Sequence, residues 1–148
     1  MFDLSGRKAL VTGASGGIGE EIARILHAQG AIVGLHGTRV EKLETLANEL
    51  GERVHIFPAN LSDRAEVKAL GEKAEADLGG VDILVNNAGI TKDGLFVRMS
   101  DDDWDAVLEV NLTAVFRLTR ELTHPMMRRR YGRIINITSV VGVTGNPG

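Results

Sequence analysis

Cysteine is missing from all 148 residues, which excludes disulfides and thiolate chemistry. No apolar run reaches the roughly 18 residues that a membrane-spanning helix needs. The opening MFDLSGRKALVTG has no basic segment followed by an apolar stretch, so it does not read as a secretory signal. Charge of one sign is scarce too. Seventeen Lys and Arg stand against 20 Asp and Glu, a net −3 that gives no reason to expect nucleic acid or an anionic membrane surface as partner. The four histidines, His27, His36, His55 and His124, lack the short spacing of a metal site, and no metal is expected. A cytoplasmic enzyme or binding domain fits these absences. Proline occurs three times but glycine 18 times. That ratio points to backbone making close approaches rather than to disorder.

What is present alternates along the chain. Short aliphatic or β-branched runs at 8–12, 31–36, 53–58, 82–86 and 133–138 are separated by segments of helical spacing. Ile18, Ile22, Ile25 and Leu26 make one stripe, and Val67, Leu70, Ala74 and Leu78 another. The longest helix is expected over 101–130, with Trp104, Leu108, Asn111, Val115, Leu118 and Leu122 as its stripe, widened by Val107, Val110 and Ala114. On that stripe the Asn111 amide should be buried and partnered. Ser100 with Asp103 marks the helix start, and Thr38 with Glu41 offers a second capping box. Five strands separated by helices predict an α/β fold, a Rossmann-type doubly wound parallel sheet of order 3-2-1-4-5. KALVT and RIINIT, apolar on both faces, read as strands covered by helices on each side.

The first strand runs into Thr12-Gly13-Ala14-Ser15-Gly16-Gly17-Ile18-Gly19, where a helix begins. Such a turn needs one glycine for its tight bend, one for approach to a pyrophosphate and one for close helix–strand packing. The phosphates then meet free N–H groups and the positive end of the helix dipole. The segment lacks the Gly-Lys-Ser/Thr ending of a nucleotide-hydrolysing P-loop.

TGASGGIG resembles the T-G-x-x-x-G-I-G signature of the short-chain dehydrogenase/reductases, and Asn86-Asn87-Ala88-Gly89 is similar to that family's N-N-A-G. Asn111, in VNLTAVF, falls where the family carries its helix asparagine. Ser139, in INITSVVG, falls where it carries the catalytic serine. NNAGITKDGLFVRMSDDDW and YGRIINITSVVG further resemble the 3-oxoacyl-[acyl-carrier-protein] reductase branch. The resemblance implies catalytic roles for Ser139 and Asn111. It implies cofactor contacts from Gly13, Ser15, Gly16, Gly17, Ile18, Gly19, Asn60, Leu61, Asn87, Ala88 and Gly89. Phe96 and Met99 read either as part of a loop bordering the substrate or as packing residues. After the second strand the chain reads His36-Gly37-Thr38-Arg39. Gly37 stands where NAD-dependent members place a ribose-binding carboxylate, and Arg39 follows with a guanidinium suited to a 2′-phosphate. Thr38 and Arg39 therefore join the expected contacts, and NADP(H) is the expected cofactor. The basic residue that NADP-binding relatives often carry inside the glycine loop corresponds here to Gly16.

The family completes its site with Tyr-x-x-x-Lys, whose four-residue spacing puts phenol and ammonium on one helix face. The only tyrosine, Tyr131, has no lysine four residues on and reads as a surface turn residue. Residues 1–148 are thus expected to be the N-terminal, NAD(P)-binding part of a single-domain reductase. The loop from Val140 to Gly148 should lead toward that motif, and the segment by itself should be inactive. The fifth strand's Ile134, Ile135 and Ile137 would then form an exposed apolar edge. The activity implied is NADPH-dependent reduction of 3-oxoacyl-[acyl-carrier-protein] in fatty acid biosynthesis, by a homotetramer with acyl carrier protein as substrate carrier. Arg128-Arg129-Arg130 either complements the helix dipole or docks that acidic carrier. A reductase of a sugar, steroid or small alcohol, or a non-catalytic NADP-binding protein, stays open.

Overall fold

Aliphatic and β-branched residues form five short strands: β1 (Lys8–Val11), β2 (Ile32–Gly37), β3 (Val54–Pro58), β4 (Ile83–Asn86) and β5 (Arg133–Asn136). Each lies within two residues of its expected bounds. The structure, a computed structural model, describes residues 3–146, so Pro147 and Gly148 of the expected final loop lie outside the described residues. All strand pairs are parallel and the sheet order is β3-β2-β1-β4-β5. This is the Rossmann-type arrangement.

Strand alternation divides the core into two layers. Ala9, Val11, Val33 and Leu35 face α1 (Gly17–Ala28) and α2 (Val40–Leu50), together with Ala23, Leu43 and Leu46. Leu10, Phe57 and Leu84 face α3 (Arg64–Asp77) and α5 (Ala114–Arg129), together with Val67, Leu70, Leu118 and Leu122. Burying a Leu or Phe side chain of this kind contributes about 2 kcal/mol. The α3 stripe of Val67, Leu70, Ala74 and Leu78 is buried as expected. Its N-terminus is held by Asp63, whose carboxylate accepts from the backbone N–H groups of Ala65 and Glu66 at 2.7 and 3.0 Å.

Several local expectations are overturned. In α1 the face against the sheet carries Gly19, Ile22, Ala23 and Leu26, while Ile18 and Ile25 are exposed. Close packing at Gly19 sets this rotation. The long helix is two: α4 (Asp101–Leu108) and α5 are joined by a π-helical turn over Glu109–Thr113. That turn holds an extra residue and changes the face presented to the sheet. The buried stripe becomes Val110, Ala114, Leu118, Leu122 and Met126, and Trp104 is 54% exposed. Ser100 caps α4 as expected, accepting from Asp103 N–H at 3.1 Å while its hydroxyl donates to the Asp103 carboxylate at 2.8 Å. That hydroxyl, with Lys92 3.5 Å away, holds the Asp103 carboxyl below the ordinary carboxylate range. Thr38 makes no such box. Arg39 is the N-cap of α2, and no side chain caps that end.

Strand β5 forms the exposed apolar edge expected of Ile134, Ile135 and Ile137, and only the expected covering of both its faces fails. It is the outer strand and all four of its residues are exposed, so RIINIT is not covered on both faces within the described residues. Ile134, Ile135 and Ile137 are 41%, 45% and 39% exposed. The chain after β5 forms a short α6 (Val141–Thr144). Tyr131 is half-buried, with the guanidinium groups of Arg7 and Arg133 over its ring at 3.9 and 5.0 Å.

Candidate functional site

The carboxyl ends of β1, β2, β3 and β4, with the loops that leave them, surround a cleft of about 660 Å³. Gly13 has a φ of +69°, and a β-carbon there would lie 2.9 Å from Ala88 Cα. Glycine therefore serves both the bend and the close approach. A β-carbon at Gly19 would lie 2.3 Å from the Gly13 carbonyl oxygen, so that position also excludes a side chain. Thr12 sits under both. Its hydroxyl donates to the Val85 carbonyl at 3.2 Å and accepts from Asn87 N–H and Ala88 N–H, each at 3.0 Å. Asn87 Nδ2 returns a hydrogen bond to the Thr12 carbonyl at 2.9 Å. The glycine turn and the N-N-A-G segment are thereby one hydrogen-bonded unit.

Helix α1 points its N-terminus at the cleft, where Gly17, Ile18 and Gly19 form part of the lining. Gly16 is its N-cap and supplies no side-chain acceptor. Open space surrounds the Gly17 position. Uncapped N–H groups and the positive dipole end suit a phosphate or pyrophosphate.

Arg39 reaches the same turn from α2. Its Nη2 donates to the Ser15 carbonyl at 2.6 Å, and a β-carbon at Gly16 would lie 2.6 Å from that nitrogen. The guanidinium thus occupies the space that a side chain at position 16 would fill. At Gly37 a β-carbon would approach Ser15 Oγ to 2.7 Å, so the turn leaves no room for a side chain there.

The thirteen residues expected to contact cofactor are Gly13, Ser15, Gly16, Gly17, Ile18, Gly19, Thr38, Arg39, Asn60, Leu61, Asn87, Ala88 and Gly89. The structure brings all of them to the lining of this cleft. Ser139 and Asn111 are not in that lining. Ser139 follows β5 and is exposed, its Oγ accepting from Val141 N–H at 3.3 Å. Asn111 lies in the π-helical turn and is exposed, which corrects the expectation of burial. Its amide does have partners: Oδ1 accepts from Ile90 N–H and Nδ2 donates to the Ile90 carbonyl, each at 2.8 Å. It clamps the backbone that follows Gly89.

Other residues of the site escaped the sequence reading as site residues. Ile90 and Val110 line the cleft, and Asn86 ties β4 to its neighbours by donating to Asn136 Oδ1 at 2.8 Å and Thr119 Oγ1 at 3.1 Å. His36 also lines the cleft. It is 2% exposed, and burial pushes its pKa down to about 4 against a smaller opposing effect of the Ala59 carbonyl. A histidine ending an otherwise apolar strand was the available signal. Tyr131 and Arg128-Arg129-Arg130 precede β5, at the amino end of the sheet and away from the cleft. Arg129 is engaged there with Glu75 and the Val81 carbonyl.

A parallel α/β sheet with a glycine turn, an uncapped helix N-terminus and a guanidinium at its carboxyl end is an arrangement suited to a dinucleotide. The sequence matches the short chain dehydrogenase family over residues 7–148, and the chain belongs to that family. It is 90% identical over 148 residues to nodulation protein G of Rhizobium sp. (strain N33) and 78% identical to nodulation protein G of Rhizobium meliloti (strain 1021). It is 53% identical over 148 residues to the 3-oxoacyl-[acyl-carrier-protein] reductase FabG of Rickettsia bellii (strain RML369-C). Each match covers 100% of this chain and 60% of the relative, so the chain spans about three-fifths of the length of these curated relatives.

Proposed function

We propose that the protein is an NADPH-dependent reductase of 3-oxoacyl-[acyl-carrier-protein], these 148 residues forming its cofactor-binding part. The single observation that carries the cofactor choice is Arg39. Its guanidinium lies against the glycine turn at Ser15 and Gly16, while Gly37 has no space for a competing carboxylate. Arg39 and Thr38 would hold the 2′-phosphate, and the first turn of α1 would hold the pyrophosphate. Asn60 and Leu61 would border the adenine, and Asn87, Ala88 and Gly89 would border the second ribose. The bound cofactor supplies the hydride. Ser139 Oγ would orient the substrate carbonyl, and Asn111 would fix the Ile90 backbone beside it. The family's Tyr-x-x-x-Lys, expected after residue 148, would provide the proton. The oxoacyl substrate, the carrier protein as partner and a homotetramer rest on the resemblance, on the Rickettsia relative's name and on the exposed apolar surface of α5 and β5.

Fluorescence titration of the full-length protein tests the reading. NADPH should bind at least about tenfold more tightly than NADH, a difference of about 1.4 kcal/mol. Equal affinities sink the NADP assignment. Reduction of a 3-oxoacyl thioester should accompany binding, and Ser139→Ala should lower turnover by about 100-fold, the scale of losing a carbonyl-stabilising donor. Cofactor affinity should stay unchanged in that variant.

A further inference from the structure

We infer that His36 is a positioning residue of the cofactor cleft, its imidazole bridging the glycine turn and the loop that follows β3 and fixing the distance between them. The topology puts it there. Strand β2 lies between β1 and β3, so the last residues of β2 stand between the two loops that leave those neighbours. Leu35 faces α1 and α2, and alternation turns His36 to the opposite face. On one side Gly13 N–H donates to Nδ1 at 3.3 Å, and on the other Nε2 stands 3.1 Å from the Ala59 carbonyl. The backbone repeats the bridge: the His36 carbonyl accepts from Ala14 N–H at 2.8 Å, and the Gly37 carbonyl accepts from Ala59 N–H at 3.4 Å.

These partners select one state of the ring. Gly13 N–H can only donate, so Nδ1 carries no hydrogen. The Ala59 carbonyl can only accept, so Nε2 carries it. An imidazolium, or the other neutral tautomer, would set two N–H groups against each other at Gly13. Burial of the ring favours the neutral form for a separate reason. With both nitrogens engaged, His36 is available neither as a metal ligand nor as a general base. The far side of the Gly13 turn rests on Ala88, where even a β-carbon would find only 2.9 Å. The turn is therefore held from both flanks, and the loop carrying Asn60 and Leu61 is referenced to it through His36.

This inference deepens the nicotinamide-cofactor reading and is tested apart from it. In the full-length protein without cofactor, nitrogen NMR should show a neutral His36 ring protonated at Nε2. A ring protonated at Nδ1 at neutral pH overturns the inference. His36→Phe keeps the shape and removes both bonds. It should accelerate hydrogen exchange at the Gly13 amide and raise the NADPH Kd and KM by about tenfold, the scale of one or two hydrogen bonds. The kcat at saturating NADPH should stay within about twofold, the pattern of lost binding rather than lost chemistry. His36→Asn retains an acceptor near Gly13 without reaching Ala59 and should recover part of the affinity. It also serves alone if the Phe variant does not fold, and a wild-type Kd in whichever variant folds overturns the bridge. If the wild-type protein binds no nicotinamide nucleotide, the cofactor reading falls, while exchange at Gly13 still decides whether His36 holds the turn.

Discussion

Gly37 and Ser15 meet so closely that a β-carbon at position 37 would lie 2.7 Å from Ser15 Oγ and 2.9 Å from its Cβ. Replacing Gly37 by Asp, the direct route toward an NAD-type carboxylate, should therefore weaken binding of both cofactors. The double change Gly37→Asp with Ser15→Gly should restore NADH binding, and titration of the two variants with each nucleotide checks this. An NADH-binding single variant contradicts it. His36 yields a prediction in pH. Its pKa is near 4 in the fold and ordinarily about 6.5. Below 6.5 the unfolded chain takes up a proton that the folded chain refuses, so His36 lowers stability as pH falls. The loss is about 1.4 kcal/mol per pH unit and reaches about 3 kcal/mol near pH 4. Above pH 6.5 the contribution is level. Urea denaturation at about pH 7 and about pH 4.5 should show this slope in the wild type and a shallower one in His36→Phe. The glycine turn was legible at this scale because its spacing is itself the signal, and the asparagine and serine motifs through their resemblance to the family's. The role of His36 was not, since the strand order places it between two loops without giving the distances from its ring to Gly13 and Ala59.

Helix ends and helix faces fared differently. Ser100 and Asp103 formed the capping interaction their spacing suggested, whereas Thr38 and Glu41 did not. At the second place Arg39 is itself the N-cap and its side chain is turned to the Ser15 carbonyl, so α2 begins one residue later than the Thr38 box requires. Ser100→Ala should cost about 1 kcal/mol by thermal or chemical unfolding. Thr38→Ala, measured without cofactor, should fall within about 0.5 kcal/mol of wild type. A cost at Thr38 equal to that at Ser100 contradicts the assignment. The π-helical turn over Glu109–Thr113 is the other correction. It takes Asn111 off the expected core stripe and directs its amide to both backbone groups of Ile90. Asn111→Ala should speed hydrogen exchange at the Ile90 amide. It should change global stability by about 1 kcal/mol or less, because the site is exposed. Unchanged exchange at Ile90 would mean that the clamp is not populated in solution. A regular period cannot disclose a single inserted residue, which explains why the stripe was misplaced before the turn and correct at Leu118 and Leu122 after it.

Across the whole molecule, two layers of helices enclose β1, β2 and β4, while β5 stands exposed at one edge. Its isoleucines make a template for further strand pairing or hydrophobic association. Expressed as these 148 residues, the protein should self-associate at micromolar concentration by light scattering. Ile135→Lys should shift it toward smaller species, whereas a strictly monomeric wild-type segment contradicts the expectation. The sequence by itself determined the alternation of strands and helices, the parallel sheet and its order, and the positions of the glycine, N-N-A-G and serine motifs. The alternation follows from local spacing, because period 2 or 3.6 and glycine at a turn are properties of the chain before it folds, while the sheet order comes with the Rossmann-type class and the N-N-A-G and serine positions with the resemblance to the family. Only the tertiary structure decided that Arg39 fills the place left by Gly16, that Ser15 closes Gly37, that Thr12 joins two motifs 75 residues apart, and that His36 bridges two loops. Each of these depends on distances between segments far apart in sequence, and packing sets those distances once the sheet has brought the strand ends together.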